Sequence, residues 1–296
     1  MTKVTRRKLL KASLGSGLLA MAAPVIARRA AADETTFQQA QRTKTIAVGL
    51  ANEKPYGYVE TDGKVTGAIV EVLRATLEPY GITTLDAKVG SFDTLIPGVL
   101  AKRFDVIGAG MYVKPKRCQQ IAFSNPLTRA GGAFAAKKGN PKNLHSLADV
   151  AKDSSAKLGT QLGTSQVDEV KQAGIPDDRV SLFSKDTEAL AGLQAGRVDV
   201  IYFPDLEINN LLVTSGDAGL ERVQPYVQIL DAQGNQVFNY QALGLRKEDG
   251  DLLAAINKQL ADLLSSGKLL TILQPFGFSA NELPAADVTA VKLCAG

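Results

Sequence analysis

SFDTLIPGVLAKRFDVIGAGMYVKPKRCQQIAFSNP, residues 91–126, decides the fold. A helix-like segment, Thr94–Ala101, leads into a short buried strand, Phe104–Gly108. A glycine-rich turn follows, then Tyr112, then the run Lys114-Pro115-Lys116-Arg117-Cys118. Apolar alternation and turn residues account for the strand and the loop. They do not account for an aromatic and an arginine five residues apart at a strand end. Loops at strand ends of open α/β sheets are where small ligands bind. The segment therefore reads as half of a small-molecule pocket, with Arg117 holding an anion.

The flanking sequence repeats the same alternation. Lys44–Gly49 and Leu85–Val89 read as strands. Ala68–Tyr80 carries apolar residues at Ile69, Val72, Leu73 and Leu77, the spacing of an amphipathic helix. Strand, helix, strand, helix, strand implies a parallel α/β sheet. Gly132–Lys137 reads as a further strand of this first lobe, and the turn Lys138-Gly139-Asn140-Pro141 as the crossing to a second. There the order recurs: strand Lys157–Thr160, helix to Ala173, strand Val180–Phe183, helix Thr187–Ala195, strand Val198–Phe203 and helix Ile208–Thr214. Tyr240–Leu245 returns to the first lobe, followed by an amphipathic helix, Asp249–Ser266. An internal echo supports two similar lobes: LAKRFDVI at Leu100–Ile107 resembles LQAGRVDVI at Leu193–Ile201. The expected division is 44–137 plus 230–296 for the first lobe and 138–229 for the second. Two lobes joined by two crossings make a hinged clamshell with the binding cleft between them.

The N-terminus stands apart. Thr5-Arg6-Arg7-Lys8-Leu9-Leu10-Lys11 precedes an apolar run, Ala12–Ala27, and then Ala30-Ala31-Ala32. That is an export signal, expected to span 1–32 with cleavage near Ala32. The paired arginines and weakly hydrophobic run favour the twin-arginine type over an ordinary secretory signal. The segment holds seven basic residues and no acids, so removing it takes the net charge from +4 to −3. A mildly acidic mature chain gives no argument for nucleic acid as a partner. With 22% charged and 45% hydrophobic residues, the composition is that of a soluble globular protein. Cys118 and Cys294 form an even pair, which in an oxidising compartment points to a disulfide tying the C-terminus to the first lobe; two unrelated thiols are the alternative. His145 sits in a polar stretch without metal-ligand neighbours and reads as a surface residue.

Each strand-end loop offers a candidate. Asn52–Tyr58 (NEKPYGY) follows the first strand, where Glu53 can meet a cation and Tyr56 can supply a ring face. Phe92 follows the second strand and Tyr112 the third. A lone phenylalanine is core by default, but three aromatics on consecutive strand ends can enclose a cation, at roughly 0.5–2 kcal/mol per good contact. Arg117 can pair with a carboxylate in a bidentate fork. Lys114 and Lys116 read as solvated. Gly163-Thr164-Ser165 opens a helix, where backbone N–H groups favour an anion, a role compatible with simple capping. Phe203, Pro204, Asp205 and Glu207 follow the second lobe's third strand; of these, Phe203 and Asp205 are taken as ligand contacts. The sequence has no G-x-S-x-G, H-E-x-x-H, P-loop or G-x-G-x-x-G after a strand, so neither catalytic residues nor a cofactor or metal are expected.

Taken together, NEKPYGY (52–58), FDTLIPGVLAKRFDVIGAGMY (92–112), KRCQQIAFSNP (116–126) and the terminal KLCAG (292–296) resemble the extracellular solute-binding proteins of family 3. These are periplasmic receptors of polar amino-acid ABC importers, and the resemblance spans about residues 44–280. It implies a two-lobed, type II-like clamshell, each lobe a mostly parallel sheet flanked by helices. Within the family the pattern is most similar to receptors for ectoine and hydroxyectoine. That implies an acid, an aromatic box and a carboxylate-binding arginine, falling here on Glu53, Tyr56, Phe92, Tyr112 and Arg117, with Thr164 or Ser165 as second-lobe partner. Tyrosine at 56 and 112 departs from the phenylalanine common in those receptors but keeps the π-face. The second-lobe aspartate that typically holds an α-amino group falls in Tyr202-Phe203-Pro204-Asp205, displaced by a residue or so. This favours a cyclic or N-substituted cation. The expectation is a monomeric periplasmic receptor that binds ectoine or hydroxyectoine and delivers it to the transmembrane subunits of an ABC permease. A receptor for a polar or cationic amino acid or opine-like solute is the alternative. A dehydratase-type enzyme on the same fold ranks third.

Overall fold

The computed structural model describes residues 34–295. The expected export signal, with its arginine pair and cleavage site, lies outside the described residues. Among the described residues no helix is long and apolar enough to cross a membrane.

Six strands form the first sheet among the described residues: Thr84–Val89, Thr45–Leu50, Val106–Tyr112, Asn239–Leu245 and Ala122–Phe123 lie in that order, and Thr128–Ala130 also pairs with Asn239–Leu245. The three earliest are mutually parallel in the order second, first, third; Asn239–Leu245 joins antiparallel. Val106–Tyr112 is buried at every position, as expected of a central strand covered on both faces. The strand is longer than the glycine-rich turn suggested, because Gly108 and Gly110 lie within it. Gly110 sits at φ +65°, a conformation open to glycine, and the register against the partner strand shifts between Ala242 and Gly244. Helices Ala68–Leu77 and Gly250–Ser265 cover this sheet through Ile69, Val72, Leu73, Leu252, Ile256 and Leu260, all buried in one core.

The second sheet repeats the plan. Its order is Val180–Phe183, Leu158–Gln161, Val200–Pro204, Gly132–Lys137 and Leu220–Arg222. The first three are again parallel in the order second, first, third, and Gly132–Lys137 is antiparallel. Side chains alternate between two cores: Phe134, Ala136, Val200 and Tyr202 on one face, Ala133, Ala135, Ile201 and Phe203 on the other.

Gly132–Lys137 corrects the expected boundary. It belongs to the second sheet, and the chain crosses between Ala130 and Gly132, before the Lys138–Pro141 turn. The strand's antiparallel pairing with Val200–Pro204 could not be read from its composition. The return crossing lies between Arg222 and Asn239, where the Gln228 side chain bonds both the N–H and the carbonyl of Gly132, at 3.0 and 2.9 Å.

The internal echo is structural. Lys102 and Gly196 each end a helix with positive φ. Asp105 and Asp199 then accept the N–H of Ala47 and Lys157, at 3.1 and 2.7 Å, fastening the first strand of each lobe to its third. Phe104 packs its ring over Gly49 and Gly98, and Phe183 packs over Gly159 and Gly192 in the same way; a Cβ on any of the four would lie under 3 Å from the ring.

Cys118 and Cys294 form a disulfide, with Cα atoms 5.7 Å apart. It ties the helix Ala290–Ala295 to the turn Pro115–Cys118. Lys114 is half-buried, against the expectation of a solvated side chain. Its Nζ donates to Asn239 Oδ1 at 2.6 Å, and Asn239 in turn donates to Glu169 of the second lobe at 2.8 Å.

Candidate functional site

Each parallel triplet points its carboxyl ends at the same cleft. A small cavity lies there. From the first lobe, Glu53 and Tyr56 reach it after the first strand, Phe92 after the second, and Tyr112 and Arg117 at the end of the third. From the second lobe, Gln161, Thr164, Ser165 and Gln166 reach it after the first strand, and Phe203, Pro204 and Glu207 at the end of the third. This is the switch-point position of open α/β sheets, presented twice and face to face.

A tight loop fixes Glu53 and Tyr56. Glu53 and Gly57 exchange backbone hydrogen bonds at 3.2 and 3.1 Å, and Tyr56 N–H donates to the Glu53 carbonyl at 2.9 Å. Asn52, at φ +63°, accepts the Val59 N–H on its side chain at 2.8 Å. The Tyr56 ring lies against Gly110, where a Cβ would come within 2.9 Å of it. The Tyr56 and Tyr112 hydroxyls are buried, with no partner at full hydrogen-bond geometry among the described residues; burial pushes both phenols well above their ordinary range, against the lowering effect of the nearby Gln241 and Gln166 side chains.

Arg117 lies on the short turn Pro115–Cys118. Its Nη1 donates to the Tyr112 carbonyl and its Nη2 to the Gly163 carbonyl of the second lobe, each at 2.9 Å. The guanidinium sits 5.7 Å from the centre of the Phe92 ring. Burial lowers its pKa to about 10, opposed by Asp168 and Tyr112. Two of its five donors are used in these contacts, so a fork remains for an anion in the cavity.

Acidic groups outnumber the guanidinium in the lining. Glu53 is 4% exposed and Glu207 3%. Glu53 Oε1 accepts a 2.6 Å hydrogen bond from Gln161 Nε2 across the cleft, while Glu207 Oε1 is buried with no hydrogen-bond partner among the described residues. Burial and the nearby Asp186 push Glu53 up to about 8. Glu207 is raised well above the carboxylate range by burial, by Glu53 and by Asp186. Burial also lifts Asp186 to about 6. Buried carboxylates without a counter-ion are costly, so these acids favour their protonated form unless positive charge meets them.

A family model described as bacterial extracellular solute-binding proteins, family 3, matches residues 46–279. The chain belongs to that family. A probable amino-acid ABC transporter periplasmic-binding protein of Sinorhizobium fredii, y4tE, is 28% identical over 89% of this chain and 87% of its own. The crystal structure of EhuB in complex with hydroxyectoine is 35% identical, with a TM-score of 0.80, and covers 88% of this chain and 98% of that one. The crystal structure of the P235GK mutant of ArgBP from T. maritima is 26% identical, with a TM-score of 0.70, over 82% and 99% of the two chains.

In this solute-binding protein, Glu53, Tyr56, Phe92, Tyr112, Arg117, Thr164, Ser165 and Phe203 line one cavity. Gly163 takes part through its carbonyl, bonded to Arg117. Thr164 donates its hydroxyl to the Gln161 carbonyl at 2.8 Å, which leaves its oxygen as an acceptor. Asp205 does not line the cavity. Its carboxylate accepts the N–H of Leu206 at 2.8 Å, and it lines a separate surface hollow with Arg129 and Phe238. The helix Asp205–Ser215 starts there and turns Glu207 inward in its place. Gln161, Gln166, Glu207 and Gln241 also line the cavity. The strand-end rule finds Gln161, the last residue of its strand. Gln241 carries no such mark, since it lies inside the antiparallel strand Asn239–Leu245.

Proposed function

We propose that this protein is the substrate-binding component of an ABC importer and that it captures ectoine or hydroxyectoine. The observation that carries the reading is the charge division of the cleft, with the Arg117 guanidinium at one end and the buried carboxylates of Glu53 and Glu207 at the other. The rings of Tyr56, Phe92, Tyr112 and Phe203 line the same space. Ectoine is a zwitterion with a flat, delocalised cation in a ring and one carboxylate, so its charges match the two ends and its faces match the rings. The likeness to EhuB, crystallised with hydroxyectoine, points the same way. Ligand docks on the first lobe through Arg117 and the aromatic side chains. The second lobe then closes, bringing Gln161, Gly163, Thr164 and Ser165 to the cleft and excluding water. The loaded receptor delivers its solute to a membrane permease from the periplasm, after export through the arginine-paired leader.

The excess of acids supports a second reading. Glu53, Glu207 and Asp186 outnumber Arg117, a balance that suits a ligand of net positive charge such as arginine. Calorimetry on refolded, ligand-free protein with ectoine, hydroxyectoine, arginine, glutamine and cystine separates the two. Tight binding of ectoine with none of arginine supports the first reading; the reverse pattern replaces it with the second.

A further inference from the structure

An ammonium of the first lobe and a carboxylate of the second meet through one amide beside the crossings. Lys114 precedes the turn that carries Arg117, and its Nζ donates to Asn239 Oδ1 at 2.6 Å. Asn239 Nδ2 donates to Glu169 Oε1 at 2.8 Å. The other oxygen of Glu169 accepts the Tyr202 hydroxyl at 2.6 Å. Asn239 ends the return crossing and pairs with Ala130, where the outward crossing begins. Asn239 and Glu169 are both buried, so these bonds lie in a low-dielectric place where they are strong and costly to break. Burial lowers the Lys114 pKa, and Glu169 is the largest influence opposing it. A lysine before a surface turn and a glutamate on a helix are ordinarily solvated; here both are drawn inward onto one asparagine.

We propose that Lys114, Asn239 and Glu169 are positioning residues, an interlobe brace that holds the helix Ser165–Gln172 in its closed place and so sets how tightly a solute is retained. The inference rests on the reading of this cleft as a solute site that closes by hinge motion. The helix brings Ser165 and Gln166 to the cavity. Glu169 stands three residues after Gln166, on the same face. Fastening Glu169 to the first lobe therefore fixes the two side chains that the helix presents to the solute. The brace has a direction. The Asn239 amide accepts from the ammonium with its oxygen and donates to the carboxylate with its nitrogen. Aspartate has the same shape but only acceptors when ionised, so Asn239→Asp sets two carboxylates against each other. Adding Glu169→Gln returns a donor to that contact, reversed in direction, and leaves an oxygen for the Tyr202 hydroxyl.

The test compares the full mature protein, refolded to remove solute, with Asn239→Asp and with Asn239→Asp/Glu169→Gln. It is run at about pH 8, where facing carboxylates are least able to share a proton. Calorimetry and small-angle scattering use ectoine and arginine as probes. Asn239→Asp should weaken binding of the solute that wild type takes by about tenfold to a hundredfold, with less compaction on adding it. The double variant should return to within about threefold of wild type. A purely structural role gives no such rescue, since two damaging changes in one core do not repair each other. Asn239→Asp binding within about threefold of wild type overturns the inference, as does a double variant no tighter than Asn239→Asp. Should Asn239→Asp fail to fold, the half-buried Lys114→Met replaces it: severalfold weaker binding is expected, and unchanged binding overturns the brace. Binding of arginine without ectoine overturns the proposed solute alone, and the variants are then compared on arginine. If wild type binds neither, the proposed function falls and scattering of the solute-free proteins reads the brace. Asn239→Asp more open than wild type, with the double variant restored, then supports it; equal profiles overturn it.

Discussion

Arg117 Nη2 donates to the Gly163 carbonyl at 2.9 Å, from one lobe to the other across the cleft mouth. The same guanidinium holds the Tyr112 carbonyl at the end of its own strand. On the proposed function this one side chain would serve as anion anchor and as latch. A ligand carboxylate that orients the guanidinium fork would also set the donor that meets Gly163, so recognition and closure would share a residue.

Arg117→Ala should weaken solute binding by about 2–4 kcal/mol, because it strands a buried carboxylate and removes the latch together. Arg117→Lys keeps the charge but cannot span both partners with a planar fork, and should fall between. Calorimetry with the preferred solute measures both. A loss below tenfold for the alanine variant contradicts the assignment.

Gly163 has a second constraint. It sits at φ +81°, and a Cβ there would lie 2.7 Å from the Cα and Cβ of Asp93 on the opposite lobe. Gly163→Ala should therefore act on closure. The left-handed backbone costs about 1–2 kcal/mol, and the contact with Asp93 adds to it only when the cleft is shut. The expected result is weaker binding with a near-normal open form. Small-angle scattering should show less compaction on adding solute. Equal compaction in variant and wild type contradicts the role.

The strand–helix alternation made both parallel triplets legible, and the echo at Asp105 and Asp199 marked their equivalence. The antiparallel strands were not legible in the same way. Gly132–Lys137 is a plain apolar run, and nothing local says which sheet it joins; the partner that decides, Val200–Pro204, is distant in sequence. The site divides along the same line. Residues at the ends of parallel strands, such as Phe92 and Tyr112, announce themselves by position. The choice between Asp205 and Glu207 does not, because it depends on where a helix starts and which side of its first turn faces inward. Gln241 reaches the cavity from within an antiparallel strand, a place the strand-end rule does not cover.

The disulfide between Cys118 and Cys294 closes a loop with a sequence separation of 176 residues. Restricting so long a loop in the unfolded chain should contribute about 2–4 kcal/mol. For a protein of this size that corresponds to a fall of roughly 4–12 °C in melting temperature. Cys118→Ser/Cys294→Ser in ligand-free protein should show it by calorimetric melting. Cys118 follows Arg117 directly, so solute affinity of the same variant tests whether the bridge also steadies the anchor. The remaining lobe contacts of Arg117 predict a change of less than about tenfold. A melting temperature equal to wild type contradicts the stabilising role.

Solute binding should strengthen as pH rises. Glu53 is pushed up to about 8 in the closed protein, from an ordinary 4.5, by burial and by Asp186, against the lowering hydrogen bond from Gln161. Asp186 is lifted to about 6 by burial, and Glu207 is raised by burial, Glu53 and Asp186. These are acids with raised pKa values, so the closed, ligand-free protein holds more protons than a chain with solvated carboxyls. Its stability is greatest in acid and is lost as pH climbs from about 4.5 through about 8. A bound cation reverses the preference, because it favours the carboxylate forms. Binding must then release protons within this window, and affinity must grow with pH until the acids are ionised without help. Calorimetry in two buffers of different ionisation enthalpy reads the proton release directly. Net proton uptake, or an affinity that is flat across the window, would mean that the ligand leaves these carboxyls protonated and that the acidic wall does not bind its cation.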